Sequence, residues 1–319
     1  MLKIGKLKLK SNLILSPMAG ISDLPFRLLN RKFGCELAFI EMINVRSLGY
    51  NSKKTKKMFS TLSKDKPLGV QLVGSEPKYM ERGLDIAKQF KFDLLDFNAA
   101  CPVKKVVNRG EGAALLKDPK KLQIMLKLIR KEFSVPVTVK IRIGWDNHSV
   151  NAREVAVASA DAGVDAIFIH GRTRQQFYSG GVDYNEIARV KRSVSIPVIA
   201  SGDNFSGPLI KKMFDETGCD ACVIARGSFG NPWIFKQAKE FLKSGKIISK
   251  PGIDEVIKVM KEHLDSNIDF YGEKAGIVLF RKFFAWYTKN MAHVRPLREQ
   301  ATRAKIRHEM FELIEKLGK

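Results

Sequence analysis

From residue 13 onward the chain alternates short aliphatic and β-branched runs with longer amphipathic stretches. The runs begin near Leu13, Leu37, Leu68, Asp93, Pro136, Asp165, Ile196 and Asp220. Their mean spacing is about 30 residues, the length of one strand–helix unit. Between them, stretches such as 119–133 place Leu122, Met125, Leu126 and Ile129 at helical spacing. The runs VTVKI (137–141), AIFIH (166–170), PVIAS (197–201) and ACVIA (221–225) are apolar without clean alternation, the pattern of parallel strands covered on both faces. Eight such strands with interleaved helices predict an α/β fold, a (β/α)8 TIM barrel. A doubly wound sheet is the alternative, because counting strands does not show closure.

Past Phe241 the pattern changes. The turn-rich stretch through Lys243-Ser244-Gly245-Lys246 and Lys250-Pro251-Gly252 divides the chain into a barrel domain (1–243), a linker (244–252) and a small C-terminal all-helical domain (253–319). Three helical stripes follow: Ile253, Val256, Ile257, Met260, Leu264 and Ile268; then Ile277, Phe280, Phe284, Tyr287 and Met291; then Ile306, Met310, Leu313 and Leu317.

In a barrel of this kind chemistry collects where the strands end. Those ends read Ser16-Pro17-Met18-Ala19-Gly20, Glu41-Met42, Gln71, Asn98 with Cys101-Pro102 beyond it, Lys140-Ile141-Arg142, His170-Gly171-Arg172, Ser201-Gly202-Asp203 and Ala225-Arg226-Gly227-Ser228. Each has a bland explanation alone; together they describe a donor-rich cavity. The Gly-bearing ends of the last two strands suit a phosphate held by backbone N–H groups, with Arg226 adding a charged contact, or else make tight turns. Lys140 and His170 suit an electron-rich heterocycle such as a flavin, whose anionic reduced form a cation stabilises, or else an ion pair in the core. Gln71 carries a donor and an acceptor on one amide, matching a flavin pyrimidine edge.

Composition sharpens the picture. Hydrophobic residues make up 45%, enough for a large core and too many for a disordered chain. No apolar run reaches the roughly 18 residues of a membrane span, and the first residues lack a signal-peptide core. Four scattered cysteines suit a reducing compartment, so the cytoplasm is expected. The net charge is +23, and residues 252–319 hold 13 Lys/Arg against 10 Asp/Glu. The excess therefore sits in the barrel, much of it in Lys53-Lys54-Thr55-Lys56-Lys57 and in Lys104 through Lys131. Such clustering favours a polyanionic partner. The spacing of Cys219 and Cys222 invites a metal or redox reading, but no second Cys/His pair lies nearby and the strand starting within the motif need not let the two side chains converge. No metal is expected.

The strings SPMAGISDLPFR (16–27), QLVG (71–74), DFNAACPVKKVVNRGEGAALL (96–116), VKIRIGW (139–145), IHGRTR (169–174), SGD (201–203), ARGSFGNPWIF (225–235) and GEKAGIVLFRKFFAWY (272–287) resemble the tRNA-dihydrouridine synthases, nearest the bacterial B branch. The resemblance implies FMN bound by Pro17, Met18, Ala19, Gln71, Lys140, His170, Ser201, Gly202, Asp203, Ala225 and Arg226. It implies a proton-donating Cys101 and an Asn98 that hydrogen-bonds the target uracil. NADPH or NADH would be the reductant and tRNA the partner, with no protein partner and a monomeric chain. Departures from the family pattern are small for small: Ser201 for Asn, Ala225 for Gly, Ala100 for Gly.

Reduction of the uracil C5–C6 bond needs a hydride at C6, which no side chain supplies, and a proton at C5. A thiol with a pKa near 8.5 is mostly protonated at neutral pH yet can give the proton up. A base in folded RNA must also leave its stack to reach a barrel mouth. Arg142, Arg172 and Arg174 at the rim, and Arg281, Lys282, Arg303 and Arg307 on the helical tail, are candidates to hold the RNA, the last two as one helix face. Two other readings remain: a flavin barrel acting on a free pyrimidine, as dihydroorotate dehydrogenases do, and a non-catalytic RNA-binding barrel.

Overall fold

The computed structural model describes residues 1–50 and 52–318; the side chains of Lys53 and Lys54 in the basic run lie outside the described residues. A short antiparallel hairpin, β1 (Leu2–Ile4) and β2 (Leu7–Leu9), comes first. Eight parallel strands follow: β3 (Leu13–Leu15), β4 (Leu37–Asn44), β5 (Leu68–Val73), β6 (Leu94–Ala99), β7 (Val137–Arg142), β8 (Ala166–His170), β9 (Val198–Ser201) and β10 (Ala221–Ile224). They close into a barrel, with β10 pairing both β9 and β3. The doubly wound alternative is thereby excluded.

The hairpin was not anticipated, although its Leu2-Lys3-Ile4 and Leu7-Lys8-Leu9 alternation has the period of a half-buried strand. It plugs the floor of the barrel. Leu2, Ile4 and Leu9 share an apolar cluster with Phe39, Phe168 and Val223, and Phe39 meets Phe168 edge-on at 5.6 Å. The turn demands glycine: Gly5 has φ +54°, and a Cβ there would lie 2.6 Å from the Asp165 carboxylate.

The helical tail begins after the Ile234–Ser244 helix, which Gly245 ends in a left-handed cap. Helices Ile253–Tyr271 and Glu273–Tyr287 pair with each other and pack on the first barrel helix, Leu24–Lys32. Their approach is close, since a Cβ on Gly276 would stand 2.8 Å from the Asn267 backbone. Phe26 stacks on Phe283 at 5.6 Å and lies 6.1 Å from His263, so one apolar core runs from the barrel into the tail. The 244–252 segment divides the sequence pattern without dividing the core. Two short helices, Arg295–Ala301 and Arg307–Glu315, complete the tail. The first of these was missed, and Arg303 falls in the turn before the second, so Arg303 and Arg307 do not share a helix face as expected.

Candidate active site

A cavity of about 390 Å³ opens at the C-terminal ends of the barrel strands. Every residue expected to touch a flavin lines it: Pro17, Met18, Ala19, Gln71, Lys140, His170, Ser201, Gly202, Asp203, Ala225 and Arg226. So do Asn98, Cys101 and Arg142. The sequence scatters these residues over more than 200 positions; the barrel gathers them because each sits at or just past a strand's end.

One wall is a hydrogen-bonded chain. Thr138 Oγ1 donates to Asp96 Oδ1 at 2.7 Å and Gln71 Nε2 donates to Asp96 Oδ2 at 2.7 Å. Asn98 Nδ2 donates to Gln71 Oε1 at 2.8 Å, while Asn98 Oδ1 accepts from the backbone N–H of Ala100 at 3.0 Å and of Cys101 at 2.8 Å. Burial pushes the Asp96 carboxyl up to about 6, although both donors and the Lys140 charge oppose it. Burial likewise pushes Lys140 down to about 8 against the pull of Asp96. Desolvation outweighs attraction for both members of this pair. Lys140 Nζ reaches Ser16 Oγ at 3.3 Å.

Opposite, Gly202 and Gly227 carry the chain past the strand ends with no room for side chains. Gly202 has φ +135°, and a Cβ on Gly227 would stand 2.2 Å from the Asn204 carbonyl oxygen. Asp203, itself at φ +52°, accepts from Arg172 (Nη1 3.1 Å, Nη2 2.5 Å) and from Arg226 Nη2 at 3.0 Å. His170 Nε2 is shut off from solvent with no hydrogen-bond partner. Its imidazole is held well below the usual range by burial and then by Arg142, Lys140, Arg172 and Arg226. An orphaned ring nitrogen, a ring of cations and two side-chain-free turns fit an electron-rich ring bearing a phosphate.

Cys101 is half-buried on the loop after β6, its carbonyl accepting from Ala113 N at 3.0 Å. Burial pushes its thiol up, more than Arg142 and Lys140 pull it down, so it stays protonated at neutral pH. Arg142 is 2% exposed and donates to the carbonyls of Ala100 (2.8 Å), Thr173 (2.8 Å) and Phe177 (2.9 Å). It lines the cavity but is spent mainly on tying loops together.

The other expected RNA contacts stand elsewhere. Arg172 is 2% exposed, turned inward to Asp203 and to the carbonyls of Ser179 and Gly180, so it offers no rim charge. Arg174 lies over the Trp145 ring at 4.5 Å, with Lys117 Nζ on the same ring at 3.8 Å. Arg281 donates to the Ala304 carbonyl inside the tail. Lys282 donates to the Gly20 carbonyl, while Glu41 accepts from Gly20 N–H. The tail thus grips the loop that carries Pro17, Met18 and Ala19. Nearby, Tyr271 OH donates to Asp23 Oδ2 at 3.0 Å. Sequence reasoning passed over Asp96, which carries no rim signature because it points beneath the mouth. It also passed over Tyr178 and Phe205, which line the cavity beneath the Arg226 guanidinium at 4.8 and 5.2 Å; exposed aromatics beside arginines were the available signal.

Cys219 and Cys222 do converge, their Sγ atoms 4.0 Å apart in the core, because the chain turns between Gly218 and β10. Among the described residues no group of three or more His, Cys, Asp or Glu is gathered as a metal cage, and no helix is long and apolar enough to cross a membrane.

Comparison with known proteins agrees with this geometry. The chain is 38% identical over 292 residues to a probable tRNA-dihydrouridine synthase of Rickettsia conorii, covering 91% of this chain and 88% of that one. It is 36% identical over 301 residues to tRNA-dihydrouridine synthase B of Pseudomonas aeruginosa, covering 94% and 91%. In fold it is similar to the 6-hydroxypseudooxynicotine amine oxidase of Pseudomonas geniculata (TM-score 0.61, 15% identity, 87% of this chain and 54% of that one). It is also similar to the histamine dehydrogenase of a Rhizobium species (TM-score 0.59, 13% identity, 83% and 50%). The dihydrouridine synthase family model matches residues 14–317, from the first barrel strand to the last turn of the tail, and the chain belongs to that family.

Proposed function

We propose that this dihydrouridine synthase, an oxidoreductase acting on uridines of tRNA, works at the barrel mouth with FMN as its cofactor and Cys101 as its acid. The observation that carries this reading is the half-buried Cys101 thiol on the rim of a cationic cavity into which a buried, unpartnered His170 Nε2 is set. When bound and reduced, FMN supplies the hydride to uracil C6. Lys140, His170 and Gln71 would hold its ring, and the turns at Gly202 and Gly227 with Arg226 its phosphate. Cys101 Sγ gives its proton to C5, so that one hydride and one proton are added across the C5–C6 bond. Asn98, bonded to the Cys101 backbone, holds the base beside the thiol. NADPH or NADH would be the source of the reducing electrons, and the chain acts as a cytoplasmic monomer. A base must be extruded to enter, since the mouth sits at the end of a closed barrel.

The test uses purified protein and tRNA isolated from cells lacking dihydrouridine. A yellow protein that forms dihydrouridine with NADPH or NADH supports the reading. A protein that reduces free uracil or orotate and leaves tRNA untouched rejects it, as does a colourless protein that takes up no FMN.

A further inference from the structure

The loop that follows β8 is tied down by two buried arginines and yet presents an aromatic ring to solvent. Arg142 donates to the carbonyls of Thr173 and Phe177, and Arg172 to those of Ser179 and Gly180; each arginine is 2% exposed. Within the loop, Thr173 N–H donates to Gln176 Oε1 at 2.7 Å and Phe177 N–H donates to the Arg174 carbonyl at 3.2 Å. Phe177 sits at φ +55°, a left-handed conformation that bulky residues rarely adopt, and it is 41% exposed. Among the described residues it is the one apolar residue, glycine aside, with a positive φ. Its ring belongs to neither apolar core cluster and meets Tyr178 edge-on at 4.8 Å. Core packing therefore does not offset the strained turn, and backbone strain of this kind collects at functional sites.

Tyr178 lines the cavity and Phe177 does not, so adjacent residues put one ring inside the mouth and one just outside it. The surroundings suit a polyanion. Arg174, three residues before Phe177, shares the Trp145 ring with Lys117, and neither cation is held in an ion pair among the described residues. Arg226 stands over Tyr178 and Phe205 at the mouth. Resting on the proposed function, we infer that Phe177 is a wedge, whose ring fills the stacking place that a uridine leaves when it is drawn out of folded tRNA into the cavity. Extrusion costs the stacking of the target on its neighbours. An aromatic ring inserted beside those neighbours gives back a base-sized stacking surface. Ordering a mobile ring would cost conformational entropy; here two buried arginines and a fixed turn hold it in advance. Phe177 is a positioning residue, acting on the RNA outside the cavity.

The experiment uses FMN-loaded protein, reduced beforehand, and tRNA isolated from cells lacking dihydrouridine. It measures the single-turnover rate of dihydrouridine formation at tRNA concentrations that saturate binding, with flavin absorbance and thermal unfolding as checks on integrity. Phe177→Gly is expected to keep flavin and to melt within about 2 °C of wild type, since glycine meets a positive φ freely. Its rate is expected to fall by at least about 10-fold. Phe177→Trp, which keeps an aromatic ring, is expected to stay within about 3-fold of wild type. The indole introduced there gives a second readout. Added tRNA should quench its emission beyond the change that the other three tryptophans show in wild type, as stacking on a base would.

A smaller fall in the Phe177→Gly rate, or an indole that tRNA leaves unquenched, overturns the inference. A Phe177→Trp rate as low as that of Phe177→Gly overturns it too. Loss of flavin or a melting temperature below the stated range in Phe177→Gly would make the ring a prop for its own loop, which is a third refutation. Absence of dihydrouridine formation by wild type would instead defeat the functional reading, so the two failures are separable.

Discussion

Asp203 joins the barrel's scaffold to its mouth, and its removal can be worked through in numbers. Among the described residues it is the one carboxylate paired with Arg172, which is 2% exposed, and it also holds Arg226. Stripping the partner from a buried ion costs about 3–5 kcal/mol. Two features of the site reduce that figure. The Asp203 side chain is 30% exposed, and Arg172 keeps its bonds to the Ser179 and Gly180 carbonyls. About 2 kcal/mol is then the expected loss for Asp203→Asn, which keeps the shape and tolerates φ +52°. Asp203→Ala adds about 1 kcal/mol, because alanine is strained in the left-handed region. Unfolding entropy of about 2.1 cal/mol/K per residue converts these losses to falls in Tm of about 3 °C and 4–5 °C. Thermal unfolding followed by circular dichroism on flavin-free protein measures both without interference from ligand. Arg226→Ala, whose loss leaves the Arg172–Asp203 pair intact, should cost less than either. If Asp203→Asn melts within about 1 °C of wild type, or Arg226→Ala falls further than Asp203→Asn, the claim that Asp203 chiefly neutralises Arg172 is wrong.

Cys101→Ala is expected to keep bound flavin and tRNA affinity while losing at least about 100-fold in dihydrouridine formation; an unchanged rate at saturating tRNA would remove Cys101 from the acid role. Lys282→Ala should release the loop carrying Pro17 to Ala19 and lower flavin retention, leaving the slope of log K for tRNA against log salt unchanged; a slope smaller by about 0.9 would instead make Lys282 a phosphate contact. Phe26→Ala, at 2% exposure between barrel and tail, should cost about 3–5 kcal/mol and raise amide exchange in the 253–271 helix; a change confined to the Leu24–Lys32 helix would show that the two parts are not one core. Burial raises the folded-state pKa of Asp23 from 3.8 to about 6, so wild type loses stability as pH rises between these values. Asp23→Asn, which keeps the cap on Phe26 N–H, should gain about 2 kcal/mol relative to wild type from pH 4 to pH 7 in urea unfolding; a pH-independent difference would refute the shift.

The barrel was legible because parallel strands buried on both faces leave unbroken apolar runs, and the observed strands start within two residues of those read from the sequence. The mouth followed from it, since residues leaving eight parallel strands must share one rim. Long side chains broke the inference. A Cα position at the rim says nothing of whether an arginine reaches out to solvent or back inside, and Arg172 finds a carboxylate and two carbonyls below the rim while Arg281 finds a carbonyl in the tail. Arg295–Ala301 has no apolar stripe to betray it, being held by its neighbours more than by its own pattern. The convergence of Cys219 and Cys222 depends on the turn at Gly218, left-handed at φ +65°, a backbone detail that spacing alone does not encode.

The charges around the mouth bear on which chemistry it supports. Lys140, Arg142, Arg172 and Arg226 face two carboxylates, Asp96 and Asp203, and of these cations only Arg226 keeps substantial exposure. Positive charge left over in a poorly solvated space costs stability until an anion enters. Lys140, Arg142 and His170 are displaced downward first by burial, with a neighbouring cation adding to the displacement in each case. A phosphate near Arg226 and a ring that gains negative charge on reduction near Lys140 would relieve it at two separate places. The same surroundings distinguish an acid from a nucleophile at Cys101. A thiolate nucleophile requires nearby cations to outweigh burial, and here the order is reversed: burial is the largest influence on the thiol, and Arg142 and Lys140 do not overcome it. The sulfur therefore keeps its proton at neutral pH, which fits the acid role proposed for it better than that of a nucleophile.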